Sequence, residues 1–291
     1  MKIRPRRSVL YMPGANARAL EKARGLPADG LILDLEDAVA PEAKELARSQ
    51  VIEAVRGGGY GPREVVVRVN GLNTPWGRDD VAAVVNVGAD AILFPKVESP
   101  EEVHAAVAVL DDSGAPAELP IWMMAETPRC VLNIDAIAGS HPRLAVIVMG
   151  TSDLAKEMRV RHTPERTGFV AALSLCVMAA RAHTLDILDG VYLDLGDETG
   201  FRAACEQGRD IGFDGKTLIH PKQLETANEV FAPAEKDVER ARIVIEAWEQ
   251  ARAEGKGVAV VNGRLVENLH VEEARRNLAM AEAIRAMKRC V

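Results

Sequence analysis

Cysteine is scarce in this chain and badly spaced for joint work. Cys130, Cys176, Cys205 and Cys290 are all it has, and without paired spacing they indicate neither a disulfide framework nor a zinc cluster. Four buried or idle thiols is the reading that remains. Long apolar runs are missing too: no window approaches the ~18 uninterrupted apolar residues of a membrane span. The opening MKIRPRRSVLYMPG is basic, but it has neither the long apolar stretch nor the small-residue cleavage pattern of a secretion signal. A cytoplasmic protein with no membrane partner is expected. Nor is positive charge in excess. Lys and Arg number 36 against 43 Asp and Glu, for a formal net charge of -7, which argues against a nucleic-acid partner or a polybasic membrane patch. Local basic clusters such as Arg4, Arg6 and Arg7 can still meet an anion. No Gly-x-Gly-x-x-Gly turn follows the first predicted strand, so dinucleotide binding has little support.

What is present is a large apolar fraction, 48% of 291 residues, enough for one big α/β barrel or two ordinary domains. Short β-rich runs recur, each followed by an Ala-rich stretch with helical spacing, as in repeated βα units around a parallel sheet. The predicted strands are RSVLYMP, GLILDLED, EVVVRVN, AILFPKV, PIWMMAET, LAVIVMG, LDGVYLD and FDGKTLI. Eight such units in about 230 residues fit a closed (β/α)8 TIM barrel, whose catalytic groups come from the carboxyl ends of its strands. The barrel is assigned to residues 1–231. A C-terminal extension, 232–291, reads as a helix, a hairpin turning at Asn262 and Gly263, and a closing amphipathic helix. It is small for an independent domain and is expected to pack on the barrel or on a neighbouring subunit.

The predicted strands end, repeatedly, in polar groups: Glu36 and Asp37, Arg68 and Asn70, Lys96 and Glu98, Glu126 and Thr127, then Thr151 to Asp153. In a barrel these ends converge on one mouth, where several carboxylates repel one another unless a cation sits among them. Glu126 and Asp153 are the best pair of metal ligands, and hard oxygen donors completed by water suit Mg2+ better than Zn2+. Helix capping is the competing role for both, since TSDLAKEM and ETPRCVLN look like helix starts. Arg68 interrupts a run of valines. Its buried guanidinium requires a partner, so it is either pinned to Glu36 or Asp37 or aimed at a substrate oxygen. Arg18 and Lys22, four apart on the first helix, either hold phosphates or form a solvated face. GFDGKTLIHPKQ lies where barrels often hold phosphate groups but lacks the spacing of a Walker loop, and His220 reads as a structural histidine.

Taken in order, RSVLYMPGANARALEKA, LILDLEDAVAPEAK, VRVNG, FPKVES, AETP, MGTSDLAKE and GFDGKTLIHPKQ resemble the citrate lyase β-subunit-like family of CoA-ester lyases, related to the HpcH/HpaI 2-keto-acid aldolases. The likeness runs from about residue 6 to about residue 287, and its later stretches are most similar to the malyl-CoA thioesterase branch. The resemblance implies a TIM barrel, a trimer or hexamer, Mg2+ as cofactor and a CoA thioester as substrate. It puts metal ligands at Glu126 and Asp153 and a substrate-binding arginine at Arg68. It also puts acidic groups beside the metal at Glu36 and Asp37, where they orient metal-bound waters and Arg68, and CoA-phosphate contacts at Arg18 and Lys22. A carboxylate crossing from the next subunit, usually Asp, falls here on Glu267, one methylene longer or ~1.5 Å. A misplacement of ~1 Å can cost on the order of a hundredfold in rate. The implied chemistry is hydrolysis of malyl-CoA to malate and CoA. Retro-Claisen cleavage of malyl-, methylmalyl- or citramalyl-CoA is the alternative, and service as a citrate lyase β-like subunit of a larger complex is the second alternative.

Overall fold

The computed structural model describes residues 3–289, so Cys290 lies outside the described residues. They fall into two compact units: Arg6–Phe231, and the residues on either side of it. None of the described helices is long and apolar enough to cross a membrane.

The first unit is a closed barrel of eight parallel strands. These are β1 (Ser8–Pro13), β2 (Gly30–Asp34), β3 (Glu64–Arg68), β4 (Ala91–Phe94), β5 (Ile121–Ala125), β6 (Leu144–Met149), β7 (Asp186–Asp189) and β8 (Gly215–Leu218). Helices α1 (Ala17–Ala23), α2 (Lys44–Gly57), α3 (Gly77–Val84), α4 (Pro100–Asp112), α5 (Pro128–Ala138), α6 (Thr151–Met158), α7 (Val170–Ala182), α8 (Glu198–Ile211) and α9 (Leu224–Val230) connect them or follow the last. Side chains alternate across each strand. One set faces the helices and builds the main core, with Leu31, Leu33, Val65, Val67 and Ile187 among its members. The other set fills the tube, with Val9, Ile32, Val66, Leu93, Trp122, Met124, Val148 and Leu188 packed together.

The same alternation decides which polar groups enter the tube. Ile32 and Asp34, then Val66 and Arg68, are two residues apart, and Asp34 is in register with Arg68 across β2 and β3. At the amino-terminal end the inward positions are Glu64 and Asp186. Arg6 bonds both, with Nε 2.6 Å from Glu64, and its guanidinium lies 5.3 Å from the Trp122 ring centroid. That cluster stoppers the tube from below.

One strand is placed differently from the expectation. LDGVYLD spans 188–194, whereas β7 ends at Asp189 and begins at Asp186, a residue fixed by Arg6. The apolar residues Val191, Tyr192 and Leu193 belong to the loop that follows. Lys216 is also not a phosphate ligand. It shares the outer face of β8 with Leu218, is 1% exposed and bonds Asp189 Oδ2 at 2.7 Å, where Arg166 meets the same carboxylate. His220 caps the turn after β8 by accepting the Lys222 N–H on Nδ1.

The second unit contains α10 (Glu235–Ala253), a hairpin of β9 (Ala259–Val261) and β10 (Arg264–Val266), and α11 (Asn268–Arg289). Asn262 and Gly263 both have positive φ, 52° and 75°, the backbone that a tight two-residue hairpin needs. Its small core gathers Val244, Trp248, Val266 and Val271.

Candidate active site

The carboxyl ends of β2 to β6 bring together most of the predicted site residues. Arg68 is 6% exposed and is gripped first by Asp34, which is wholly buried: Nε donates to Oδ1 at 2.7 Å and Nη2 to Oδ2 at 2.6 Å. Nη1 lies 2.9 Å from Glu36 Oε2 and 3.5 Å from Asp37. The expected partners are therefore present but secondary. The bidentate partner is the carboxylate at the end of β2, because period-two alternation sends Asp34 inward opposite Arg68. Behind the guanidinium, 4.9 Å away, lies the ring of Tyr11. Burial raises the Tyr11 phenol well above its ordinary pKa, Arg68 opposes that shift, and the neighbouring carboxylates add to it. The hydroxyl stays protonated. Arg68 itself remains charged throughout: burial disfavours its charge, but Asp34 and Glu36 more than compensate.

Asp34 also accepts the backbone N–H groups of Glu36 and Ala38, at 2.9 and 3.0 Å, and so folds the loop after β2 around itself. Lys44 completes that loop. Its ammonium donates to the Leu35 and Glu36 carbonyls and to Asn70 Oδ1, at 2.7–2.8 Å, and faces the Trp76 ring. Neither Asp34 nor Lys44 was singled out as a site residue by sequence reasoning. Strand alternation is the signal for Asp34, and nothing in the local sequence distinguishes Lys44 from a solvated lysine.

Glu126 stands just past β5, 2% exposed. Among the described residues it receives one hydrogen bond, from the Lys96 N–H to Oε1 at 2.8 Å. The capping role belongs to its neighbour Thr127, whose hydroxyl accepts the Cys130 N–H, with Pro128 opening α5. Burial pushes the Glu126 carboxyl up to about 7, with Glu36 and Asp153 adding to the shift and the Lys96 N–H and Arg68 opposing it. Gly150 lets the chain entering α6 pass directly over this group: a Cβ there would sit 2.4 Å from Glu126 Cβ and 2.5 Å from Oε2. Asp153 follows in the first turn of α6, half-buried, and accepts no hydrogen bond from the described residues.

Glu36 is shared: one oxygen faces Arg68 and the other lies 3.3 Å from the Lys96 ammonium. Burial raises the Glu36 pKa, Arg68 and Lys96 oppose this, and Asp37 reinforces it. Burial likewise disfavours the charged Lys96, but Glu36, Asp37 and Glu126 hold its pKa above the usual lysine value. Asp34, Glu36, Asp37, Glu126 and Asp153 thus outnumber Arg68, Lys96 and Lys44. The deficit of positive charge is concentrated at Glu126 and Asp153.

Those two carboxylates fit a hard divalent cation. Each has oxygen left over, and their mutual repulsion would be relieved by a positive ion between them. No group of three or more His, Cys, Asp or Glu able to hold a metal occurs among the described residues. A pair of carboxylates suits an ion such as Mg2+, which is usually held by one or two carboxylates and keeps several waters. Beside it opens a cavity of about 570 Å3, whose walls include Leu72, Trp76, Phe94 and Val97 and whose rim carries Glu36, Asp37 and Lys96.

The remaining predicted site residues are exposed. Arg18 and Lys22 are exposed on α1 and make no hydrogen bond or ion pair with the described residues. Glu267 belongs to the second unit, exposed just before α11, where its N–H is accepted by His270 Nδ1 at 3.1 Å.

A sequence model described as HpcH/HpaI aldolase/citrate lyase matches residues 7–221. A (3S)-malyl-CoA thioesterase from Cereibacter sphaeroides is 54% identical over 282 residues, which is 97% of this chain and 96% of that one. Citrate lyase subunit beta from Escherichia coli is 36% identical over 286 residues, 97% of this chain and 95% of the relative. The crystal structure of CitE from Mycobacterium tuberculosis in complex with magnesium, acetoacetate and coenzyme A superposes with a TM-score of 0.76 at 25% identity, covering 97% of this chain and all of that one.

Proposed function

Because the chain belongs to the HpcH/HpaI aldolase/citrate lyase family, we propose that it is a Mg2+-dependent enzyme that hydrolyses a malyl-CoA-type 3-hydroxyacyl thioester to malate and CoA. The observation that carries this reading is the under-neutralised pair Glu126 and Asp153 beside a fixed guanidinium, in a chain 54% identical to a (3S)-malyl-CoA thioesterase. Glu126 and Asp153 would hold Mg2+, which when bound supplies Lewis-acid polarisation of the acyl carboxylate and hydroxyl oxygens.

The chain's own groups do the rest. Asp34 occupies the Nε–H and one Nη2–H of Arg68, which leaves the second Nη2–H and the Nη1 edge beside Glu36 for a substrate oxygen. Held in this way, Arg68 presents a charge that needs no reorganisation as negative charge develops on the acyl group. Glu36 and Asp37 orient Arg68 and the water around the acidic pair. Glu267 would come from a neighbouring subunit of a homotrimer or hexamer and act as general base. It takes a proton from water, the water oxygen bonds to the thioester carbonyl carbon, the C–S bond breaks, and the proton passes to the departing CoA sulfur. Arg18 and Lys22, exposed and without ion-pair partners among the described residues, are available to CoA phosphates.

A second reading is favoured by the 36% identity to citrate lyase subunit beta: carbon–carbon cleavage of the same substrate to glyoxylate and acetyl-CoA. Purified protein, Mg2+ and malyl-CoA, with free thiol and glyoxylate followed separately, decide between them. Thiol without glyoxylate is expected. Glyoxylate with acetyl-CoA would assign the lyase reaction, and neither product would remove malyl-CoA as substrate.

A further inference from the structure

Of the residues placed above in the acidic cluster, Lys96 has a strained backbone. Its φ is 50°, in the left-handed region that glycine adopts freely and other residues enter at an energetic cost. The chain turns here from β4 toward α4, and the N–H of the turning residue is the sole hydrogen-bond donor to Glu126 among the described residues. The ammonium of the same residue, half exposed at the cavity rim, reaches Glu36. A glycine at 96 would remove the strain and keep the N–H, yet would forfeit the ammonium. A lysine in an ordinary extended backbone would keep the ammonium and aim the chain elsewhere. The combination found here serves two carboxylates from one residue: Glu126 from the main chain and Glu36 from the side chain.

We infer that Lys96 is a positioning residue for the reaction proposed above: its left-handed turn fixes the Glu126 carboxylate in the orientation that receives Mg2+, and its ammonium holds Glu36 off that carboxylate. Both inferences rest on the proposed Mg2+ site at Glu126 and Asp153, and the inference about catalysis rests in addition on the proposed reaction. Without the ammonium, Glu36 Oε1 loses its partner while Oε2 keeps Arg68 and the Asp37 N–H, and the negative charge is freer to lean toward Glu126, so the two losses should separate by experiment.

Three variants in the full-length protein make the separation. Lys96→Gly keeps the N–H and the turn and removes the charge. Lys96→Val removes the charge and, being β-branched, disfavours the left-handed turn. Lys96→Arg keeps the charge. Mg2+ dissociation constants are read by titration calorimetry without substrate, and kcat and KM for malyl-CoA are read at saturating Mg2+. Lys96→Gly should bind Mg2+ within about threefold of the parent, whereas Lys96→Val should bind on the order of tenfold more weakly. In kcat, Lys96→Gly should lose on the order of tenfold, and Lys96→Arg should recover most of that, with KM changing less. Equal Mg2+ affinity in the glycine and valine variants would overturn the backbone role. Unaltered kinetics in Lys96→Gly would overturn the role of the ammonium. If the parent binds Mg2+ but leaves malyl-CoA intact, the proposed reaction fails, and the calorimetry of the glycine and valine variants still decides the inference about the backbone.

Discussion

At the amino-terminal end of the barrel an arginine meets two carboxylates over an aromatic ring: Arg6 with Glu64 and Asp186, above Trp122. At the carboxyl end another arginine does the same: Arg68 with Asp34 and Glu36, above Tyr11. The two clusters use the same kinds of side chain in the same tube, so an arginine–carboxylate–aromatic group is not by itself a mark of function. What distinguishes the mouth is the acid left outside the cluster. Glu126 has one backbone N–H for a partner and Asp153 accepts no hydrogen bond from the described residues, while at the base the carboxylates close on Arg6. Ion pairs inside a fold hold residues in place. Unpaired buried acid is where a cation and a reaction have room.

The sharpest way to break this comparison is to remove charge from each end and read different properties. Glu126→Gln should lower kcat/KM by on the order of a thousandfold, the scale of losing one preorganised charge-stabilising group. It should also weaken Mg2+ binding in calorimetry while leaving the metal-free protein at pH 8 at least as stable as the parent, because a buried, poorly partnered charge has gone. A large fall in Tm would mean that Glu126 is structural. Asp34→Asn leaves Arg68 buried against a neutral partner and should cost about 3–5 kcal/mol in urea unfolding, together with most of the activity. Wild-type stability in that variant would mean that Glu36 alone suffices. Arg6→Met removes the guanidinium that Glu64 and Asp186 share and should cost about 3 kcal/mol, yet leave Mg2+ affinity within about twofold. A coupled loss of Mg2+ affinity would show that the ends are not independent.

The smallest effect is in pH. The Glu126 carboxyl has an ordinary value of 4.5 and is raised to about 7 in the fold, so the native state binds its proton more tightly than the unfolded chain does. Its contribution to stability is present below pH ~4.5 and is lost as pH rises toward ~7. Metal-free Tm should fall by a few degrees across that window, and saturating Mg2+ should offset the fall increasingly toward pH 7. A flat metal-free profile would return Glu126 to an ordinary carboxylate. Asp189 has the opposite sign: burial disfavours its charge, but Lys216 and Arg166 more than offset this and depress its pKa. Its contribution is therefore present above its ordinary 3.8 and fails only at lower pH.

Much of this was legible from order and spacing. The repeated apolar runs gave the barrel, and their polar ends put Arg68, Glu126 and Asp153 at one mouth. The seventh strand was placed too far along the chain for a specific reason: Val191 to Leu193 carry strand-like side chains, whereas the true strand begins and ends in Asp, which reads as loop until Arg6, Lys216 and Arg166 are seen to neutralise it. Asp34 was overlooked as the clamp on Arg68 because Glu36 and Asp37 offered the more conspicuous charge. Only cross-strand register makes Asp34 the partner. Lys96 required a backbone angle, which no residue type announces.

The stopper beneath the tube has a kinetic corollary. With Arg6, Glu64, Asp186 and Trp122 closing one end and apolar side chains filling the tube above them, the acidic pair is approached from the carboxyl-terminal mouth, so under the proposed function the acyl portion of the thioester goes in ahead of its bulky carrier. Departure under the proposed hydrolysis would run in reverse: the carrier clears the mouth first and the small hydroxy acid leaves last. Product inhibition should carry that signature, with malate, as the last product to leave, competing directly with the incoming thioester and free CoA giving a mixed pattern.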